Sequence, residues 1–473
     1  MKIQFHNRSY TARALAEMSA GSLHTEELGD IAVRGLCTDS READAETAFV
    51  AMRGERVNGH DYMENALANG CRCFICERNI QPVADANAAA VVVGDSEMAL
   101  SRLADAYRRT LAHKTVAVTG SVGKTTAKEM IAAVLSRAKK TYKSEGNHNS
   151  IVGMPLSMLE TPADTEVSVL EMGMSAFGEI ERMAITAQPD IAVITNIGSS
   201  HMEMLGSREN ICRAKLEILS GLADGGTLIL NGDEPLLSNI GGKSYRTVYV
   251  SLLRQNADFF AQNIRIDCNT TRFDAVFDGG VCRDLEIRVP GRHNVYAALY
   301  AFAVGILMGL DTEQIRCGLL GFEAEGMRQN RYFVKDITVI EDCYNASPES
   351  MIAALDVLKL YSAQAGGRSI AVLGDMLELG AGSSAAHRKV GAHLADCGID
   401  GLIAVGQEGV QISTGAMQSG MRFQSMVREN DRDAVERIGE ALISRIRPGD
   451  TVLFKASRSV RLERVIAYLK EHY

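Results

Sequence analysis

Thr115-Val116-Ala117-Val118-Thr119-Gly120-Ser121-Val122-Gly123-Lys124-Thr125-Thr126 is the stretch on which the reading of this chain turns. A short apolar strand runs into a glycine loop that closes on Gly-Lys-Thr, and Lys128, Glu129, Met130, Ile131, Val134 and Leu135 follow with helical spacing. Strand, glycine loop and helix in that order make a phosphate cradle. Gly120 and Gly123 let backbone N–H groups, Ser121 among them, approach phosphate oxygens. Lys124 brings a mobile positive charge to the β- and γ-phosphates, Thr125 offers a hydroxyl to Mg²⁺, and Thr126 continues the first helical turn. The longer G-x-x-x-x-G-K-[ST] pattern would need glycine where Val118 stands, so the match is to a shorter T-G-x-x-G-K-T-T variant. A chain with this segment is expected to handle ATP or GTP.

Composition bounds the rest. A length of 473 residues exceeds what one hydrophobic core supports and suggests about three domains. With 50 basic against 59 acidic side chains the net charge is −9, which argues against nonspecific binding to nucleic acid or anionic membranes. The stretch Met1 to Arg8 lacks the apolar core of a signal peptide, and no run of about eighteen apolar residues could span a bilayer. A cytoplasmic protein is expected. Cys71, Cys73 and Cys76 form a Cys-x-Cys-x-x-Cys run that reads as buried thiols on a strand following a helix over residues 63–69, rather than as a zinc site.

The pattern of strands and helices predicts an α/β fold of three domains. Residues 1–112 form a separate α/β module with a strand at Val91-Val92-Val93 and a helix from Ser96 to Leu111. Residues 113–326 carry apolar strands at 116–118, 167–170, 191–195 and 227–230, as in a central P-loop mononucleotide-binding parallel sheet. Residues 327–473 repeat the alternation at 339–340, 370–372, 402–405 and 452–454, which predicts a C-terminal doubly wound, Rossmann-like domain. That domain has no G-x-G-x-x-G, so a dinucleotide has no support there.

Around the loop several residues could carry chemistry. Glu171 ends a strand where a P-loop sheet places a Mg²⁺-associated carboxylate, and by itself it reads equally well as a capping or surface acid. His201 lies beyond the carboxyl end of the strand 191–195, on the edge where ligands bind. Taken alone, Lys215 reads as a solvated lysine paired with Glu217. Arg-His-Asn at 292–294 and Gly-Met-Arg at 326–328 are equally bland in isolation.

Their joint order resembles the Mur ligases, the ATP-dependent amide-forming enzymes of peptidoglycan synthesis, along essentially the whole chain. The segments that carry the resemblance begin with Thr-Gly-Ser-Val-Gly-Lys-Thr-Thr at 119, Gly-Asn-His-Asn at 146 and Glu-Met-Gly-Met at 171. They continue with Asn-Ile-Gly-Ser-Ser-His at 196, Ala-Lys-Leu-Glu-Ile at 214 and Gly-Arg-His-Asn at 291. Glu341-Asp342-Cys343-Tyr344-Asn345-Ala346-Ser347-Pro348 looks like the D-D-S-Y-N-A-N-P segment of the D-alanyl-D-alanine-adding members, with Cys343 and Ser347 as departures. The chain lacks the Asp-Asn-Pro-Arg segment of the diaminopimelate-adding members.

The resemblance implies roles. Lys215 would match the lysine that becomes carbamylated, and Thr125, Glu171 and His201 would complete a shell for Mg²⁺, with two ions expected. Lys124, Lys215, His201 and Arg328 would be the catalytic set, with Asn294 on the adenine, Asp342 on the ribose and Arg328 on the γ-phosphate of ATP. Ser40 and Arg41, in a segment resembling the family's uridine-nucleotide site, together with Asn147, Asn149, Tyr344 and Asn345, would bind substrate. The first domain would hold the acceptor, UDP-N-acetylmuramoyl-tripeptide, the second ATP, and the third the amine substrate, D-alanyl-D-alanine, in a monomer. Alternatives are another Mur-type ligase, a folylpolyglutamate synthase-like ligase, or a nucleotide-gated binding module without chemistry. A GTPase switch is disfavoured because no guanine-reading Asn-Lys-x-Asp segment is present.

Overall fold

The computed structural model describes residues 1–54, 57–78, 81, 83, 86–242, 244–323, 329–421, 425–427 and 434–473. Three large sheets succeed one another along the chain, with a two-stranded antiparallel ribbon of Tyr10–Thr11 and Ala32–Val33 in the first part. In the first, Gly35–Cys37, Thr47–Val50, Cys73–Cys76 and Ala89–Val92 run parallel, with Lys2–Gln4 and Ser22–Leu23 antiparallel at the edges. Cys71, Cys73 and Cys76 are buried free thiols, and burial pushes Cys71 and Cys76 up to about 11. The helix after this sheet, Ser96–Arg108, is capped by the Asp95 carboxylate, which accepts from the Met98 N–H at 2.7 Å.

The central sheet has nine strands. Its spatial order is Thr141–Lys143, Val167–Glu171, Lys114–Thr119, Ile191–Ile194, Thr227–Asn231, Arg246–Ser251, then Phe259–Ile266, Thr271–Phe277 and Gly280–Ile287. The first seven are parallel and the last two extend the sheet as an antiparallel meander. The parallel strands bury both faces. Val116 and Val118 point into one core while Ala117 points into the other, and Ile191 and Val193 alternate in the same way with Ala192 and Ile194. Strand Lys114–Thr119 lies between two strands reached by the chain in opposite directions, so a crevice opens at its carboxyl end.

The third sheet runs Asn330–Val334, Ile337–Glu341, Thr451–Lys455, Ser369–Leu373, Gly401–Val405, Ser425–Val427, parallel except for the first strand. It too is covered on both faces, with Ala371 and Leu373 in one core and Ile370 and Val372 in the other. The joints between the sheets differ in kind. One continuous apolar cluster runs from Ile3 and Leu103 in the first part to Leu156 and Ile180 in the second, reinforced by the Tyr107 hydroxyl donating to the Thr161 carbonyl at 2.6 Å. The third sheet meets the second mainly through polar groups, described below. Among the described residues, no helix is long and apolar enough to cross a membrane.

Candidate active site

A cavity of about 470 Å³ lies between the carboxyl edges of the second and third sheets. Both edges are rich in polar groups because each parallel strand ends there and hands its last residues to a loop. The glycine loop forms one wall. Gly120 has φ 149°, and a Cβ there would stand 1.9 Å from Thr195 Oγ1. Gly123 has φ 80° and caps the helix Lys124–Leu135, with open space on the side where a side chain would sit. The loop is held from the neighbouring strand end: the N–H groups of Ser121 and Val122 donate to Asn196 Oδ1 at 3.1 and 2.9 Å, and Thr195 Oγ1 donates to the Val122 carbonyl at 2.7 Å. The Ser121 hydroxyl oxygen is buried without a hydrogen-bond partner among the described residues. An open helix N-terminus, a glycine with no wall in front of it and an orphaned hydroxyl fit a phosphate group.

The metal candidates fall into two groups. Glu171, only 2% exposed, ends its strand and is gripped from both sides, accepting from Thr125 Oγ1 at 2.7 Å and from Asn149 Nδ2 at 2.8 Å. Carboxylate, hydroxyl and amide oxygens in one place suit a hard cation such as Mg²⁺. The surface-acid reading of Glu171 is therefore excluded. His201, at φ 62°, lines the same cavity, but its Nδ1 is bonded to Glu378 Oε2 of the third sheet's side at 2.6 Å, and this bond holds the Glu378 carboxyl below its usual range.

Lys215 is not the solvated lysine its sequence neighbours suggest. It is 2% exposed on the helix Arg208–Leu216, and its amine has no hydrogen-bond partner among the described residues. Glu217 is engaged elsewhere, accepting from the Gly178 N–H at 2.9 Å. Burial, and then the Lys124 charge, drive the Lys215 ammonium well below its ordinary value, so the neutral amine is favoured. Lys124 itself folds back, donating to the Gly120 carbonyl at 2.9 Å.

From the third sheet come Asp342, Tyr344, Asn345 and Lys455. Asp342 follows its strand, and its Oδ2 accepts from the buried Lys455 Nζ at 2.6 Å. Lys455 also donates to the Asn345 carbonyl at 3.1 Å; its ion pair with Asp342 spans 113 residues and was not revealed by the sequence. The two departures from the family segment are both accounted for. Cys343 points into the core, its thiol directed at the Phe454 carbonyl. Ser347 caps the helix Pro348–Ala365, accepting from the Ser350 N–H at 3.3 Å, a task that serine and asparagine perform about equally well. Asn294 lines the cavity, its amide donating to the Pro290 carbonyl at 2.8 Å. Thr126 is also in the wall.

Other predicted residues are not brought to this cavity. Asn147 is exposed beside it, while Ser40 is buried in the first part of the chain, where its carbonyl accepts from Asn69. Arg41 is 86% exposed and pairs with Asp39. Arg328, with Gly326 and Met327, lies outside the described residues; Gln329 lines the cavity. Sequence reasoning missed Asn196 as the clamp of the loop, the pairing of Lys455 with Asp342, and the charged group of Lys128, Glu129 and Lys143, of which Glu129 lines the cavity. It also missed the contacts across the joint, where Ser199 Oγ donates to Glu349 Oε1 at 3.0 Å and the Glu203 N–H to the Glu378 carbonyl at 3.0 Å.

Comparison with known proteins agrees with this geometry. Family models match in chain order: the Mur ligase family catalytic domain at residues 32–108, the Mur ligase middle domain at 118–305, and the Mur ligase glutamate ligase domain at 327–458. The UDP-N-acetylmuramoyl-tripeptide--D-alanyl-D-alanine ligase of Bacillus subtilis is 37% identical over 462 residues, 98% of each chain. A crystal structure of MurF from Acinetobacter baumannii superposes with a TM-score of 0.88 at 32% identity, covering 98% of this chain and 99% of that one. The MurF ligase from Thermotoga maritima, in complex with ADP, gives 0.79 at 28% identity over 92% and 97% of the two chains. From its phosphate loop to its three-sheet architecture, this chain belongs to the Mur ligase family.

Proposed function

We propose that the protein is an ATP-dependent, ADP-forming ligase that joins D-alanyl-D-alanine to UDP-N-acetylmuramoyl-tripeptide in peptidoglycan precursor synthesis. One observation carries this reading: a phosphate loop, a gripped carboxylate at Glu171 and the Asp342-Tyr344-Asn345 segment face one cavity between two sheets. Residues 1–112 would bind the uridine nucleotide through Ser40 and Arg41, 113–326 ATP, and 327–473 the amine substrate.

A carboxylate is a poor acyl donor. Transfer of the γ-phosphoryl group to a carboxylate oxygen makes an acyl phosphate and releases ADP; the free amine then attacks the acyl carbon, loses a proton, and expels phosphate as the amide forms. Lys124 follows the migrating charge, and Arg328 would add a second cation, as the family resemblance implies. Asn294 and Asp342 orient the nucleoside, and Asn149, which lines the cavity, would bind the acceptor substrate, with Asn147 on the exposed loop outside it. Thr125, Glu171 and His201 would hold Mg²⁺, two ions in the full site, which supplies charge neutralisation on the phosphates. The neutral Lys215 amine is the form that adds CO₂. As a carbamate it becomes an anion suited to that shell, and its lack of any other partner supports this role. The protein would act as a monomer, working in the cytoplasm where ATP is supplied.

The test is phosphate release with each substrate omitted in turn. Release should require ATP, UDP-N-acetylmuramoyl-tripeptide and D-alanyl-D-alanine together, with a product mass equal to the joined substrates. Undiminished release without the dipeptide would sink the assignment.

A further inference from the structure

In the third part of the chain, two helices bring three metal-binding side chains together. Asp356 lies on Pro348–Ala365, His393 on Ser383–Asp396, and Cys397 caps the second helix four residues further on. A spacing of four puts His393 and Cys397 on one face, and the helices lie side by side there. His393 Nε2 is 2.8 Å from Asp356 Oδ1, Cys397 Sγ is 3.3 Å from His393 Nε2, and Cys397 Sγ is 3.5 Å from Asp356 Oδ1. All three side chains are partly open to solvent.

These spacings can be set against a metal's requirements. Tetrahedral zinc, with bonds of about 2.3 Å to sulfur and about 2.0 to 2.1 Å to nitrogen and oxygen, holds its ligand atoms about 3.4 to 3.6 Å apart. Both sulfur spacings already lie within about 0.3 Å of that range, and the nitrogen–oxygen spacing must open by about 0.6 Å, which small rotations of exposed side chains supply. One thiolate, one imidazole and one carboxylate select a borderline ion such as Zn²⁺ over Mg²⁺ or Ca²⁺, which prefer all-oxygen sites.

We propose that Asp356, His393 and Cys397 form a three-ligand zinc site, separate from the Mg²⁺ residues of the cavity, with water in the fourth position. Binding forms a zinc–sulfur bond and releases the thiol proton to solvent. The ion would tie together two helices, one of which faces the cavity with its first turn at Ser347, Glu349 and Ser350.

The experiment uses the full chain, stripped with chelator and kept in excess Mg²⁺ to fill the oxygen sites. Zn²⁺ is titrated against a chromophoric competitor, and Co²⁺ is added separately as a spectroscopic probe. One equivalent of Zn²⁺ should bind at least tenfold more tightly than in Cys397→Ser or His393→Gln, and Co²⁺ should give a near-ultraviolet sulfur-to-metal band that Cys397→Ser lacks. Zn²⁺ at about a hundred times its Kd should raise the melting temperature of the parent by about 5 °C and leave the variants unmoved. Cys317→Ser, at the other surface thiol, should behave as the parent. Parent-like affinity in either ligand variant, or a Co²⁺ complex without the sulfur band, overturns the proposal; should one variant misfold, the other gives the same reading.

Discussion

Two lysines are buried on helices packed against opposite faces of the central sheet, and their surroundings are opposite. Lys128, fully buried, lies 2.9 Å from Glu129 Oε1, and Glu129 also meets Lys143. Lys215, 2% exposed, meets neither carboxylate nor carbonyl among the described residues, and the cation that perturbs it is Lys124. Burial alone therefore does not mark a lysine as chemical. A buried cation with its counter-charges in place is part of the scaffold, whereas a buried amine with none is destabilising unless something neutralises it.

The largest expected effects fall on activity. Lys124→Ala and Lys215→Ala should each lower turnover by about a thousandfold or more, with little change in the melting curve. Short carboxylates should partly restore the second and not the first. Rescue of both, or of neither, would erase the distinction drawn here.

Stability should separate the two buried lysines in sign. Lys128→Met leaves Glu129 half-compensated and the Ser144 carbonyl without its donor, and should cost about 3 kcal/mol. Lys215→Met removes a buried amine that has no partner among the described residues and should be neutral or stabilising. Denaturant titration of the two variants decides it, and equal losses would mean that Lys215 has a partner after all.

A pH series sharpens the same point. The folded chain holds the Lys215 proton more weakly than the unfolded chain, whose value is near 10.5. Between the depressed folded value and 10.5 the unfolded state binds more protons, so stability should rise with pH across that window, by up to about 1.4 kcal/mol per pH unit. Below the folded value the penalty is constant. In carbonate-free buffer the difference between parent and Lys215→Met should show this slope, and a flat difference would contradict an unpaired amine.

The smallest effect is expected at Arg41, which is exposed where the lysines are buried. Arg41→Ala should raise the KM for the uridine nucleotide about tenfold, the loss of a charge-assisted phosphate contact, while leaving the KM for ATP and the melting curve unchanged. A raised KM for ATP would instead place Arg41 in the wrong part of the molecule.

The sequence carried these two regions unequally. The glycine loop was legible because strand, loop and helix are local, and the core strands were legible because both their faces are buried and they read as apolar runs. The meander from Phe259 to Ile287 was not noticed, since its half-exposed strands mix Arg, Asp and Glu among the apolar residues. Lys215 was misread in isolation because it stands in a polar helix, Arg-Glu-Asn-Ile-Cys-Arg-Ala-Lys-Leu, whose burial depends on what packs over it. Pairs such as Lys455 with Asp342 and His201 with Glu378 span more than a hundred residues and leave no local trace.

The His201–Glu378 contact crosses the joint between the second and third parts of the chain. A neutral imidazole carries one proton, and a carboxylate against Nδ1 keeps it there, leaving the lone pair on Nε2. The choice of tautomer on one side of the joint is thus dictated from the other. His201 is oriented from across the joint: while Glu378 holds Nδ1, the nitrogen left to meet another group is Nε2.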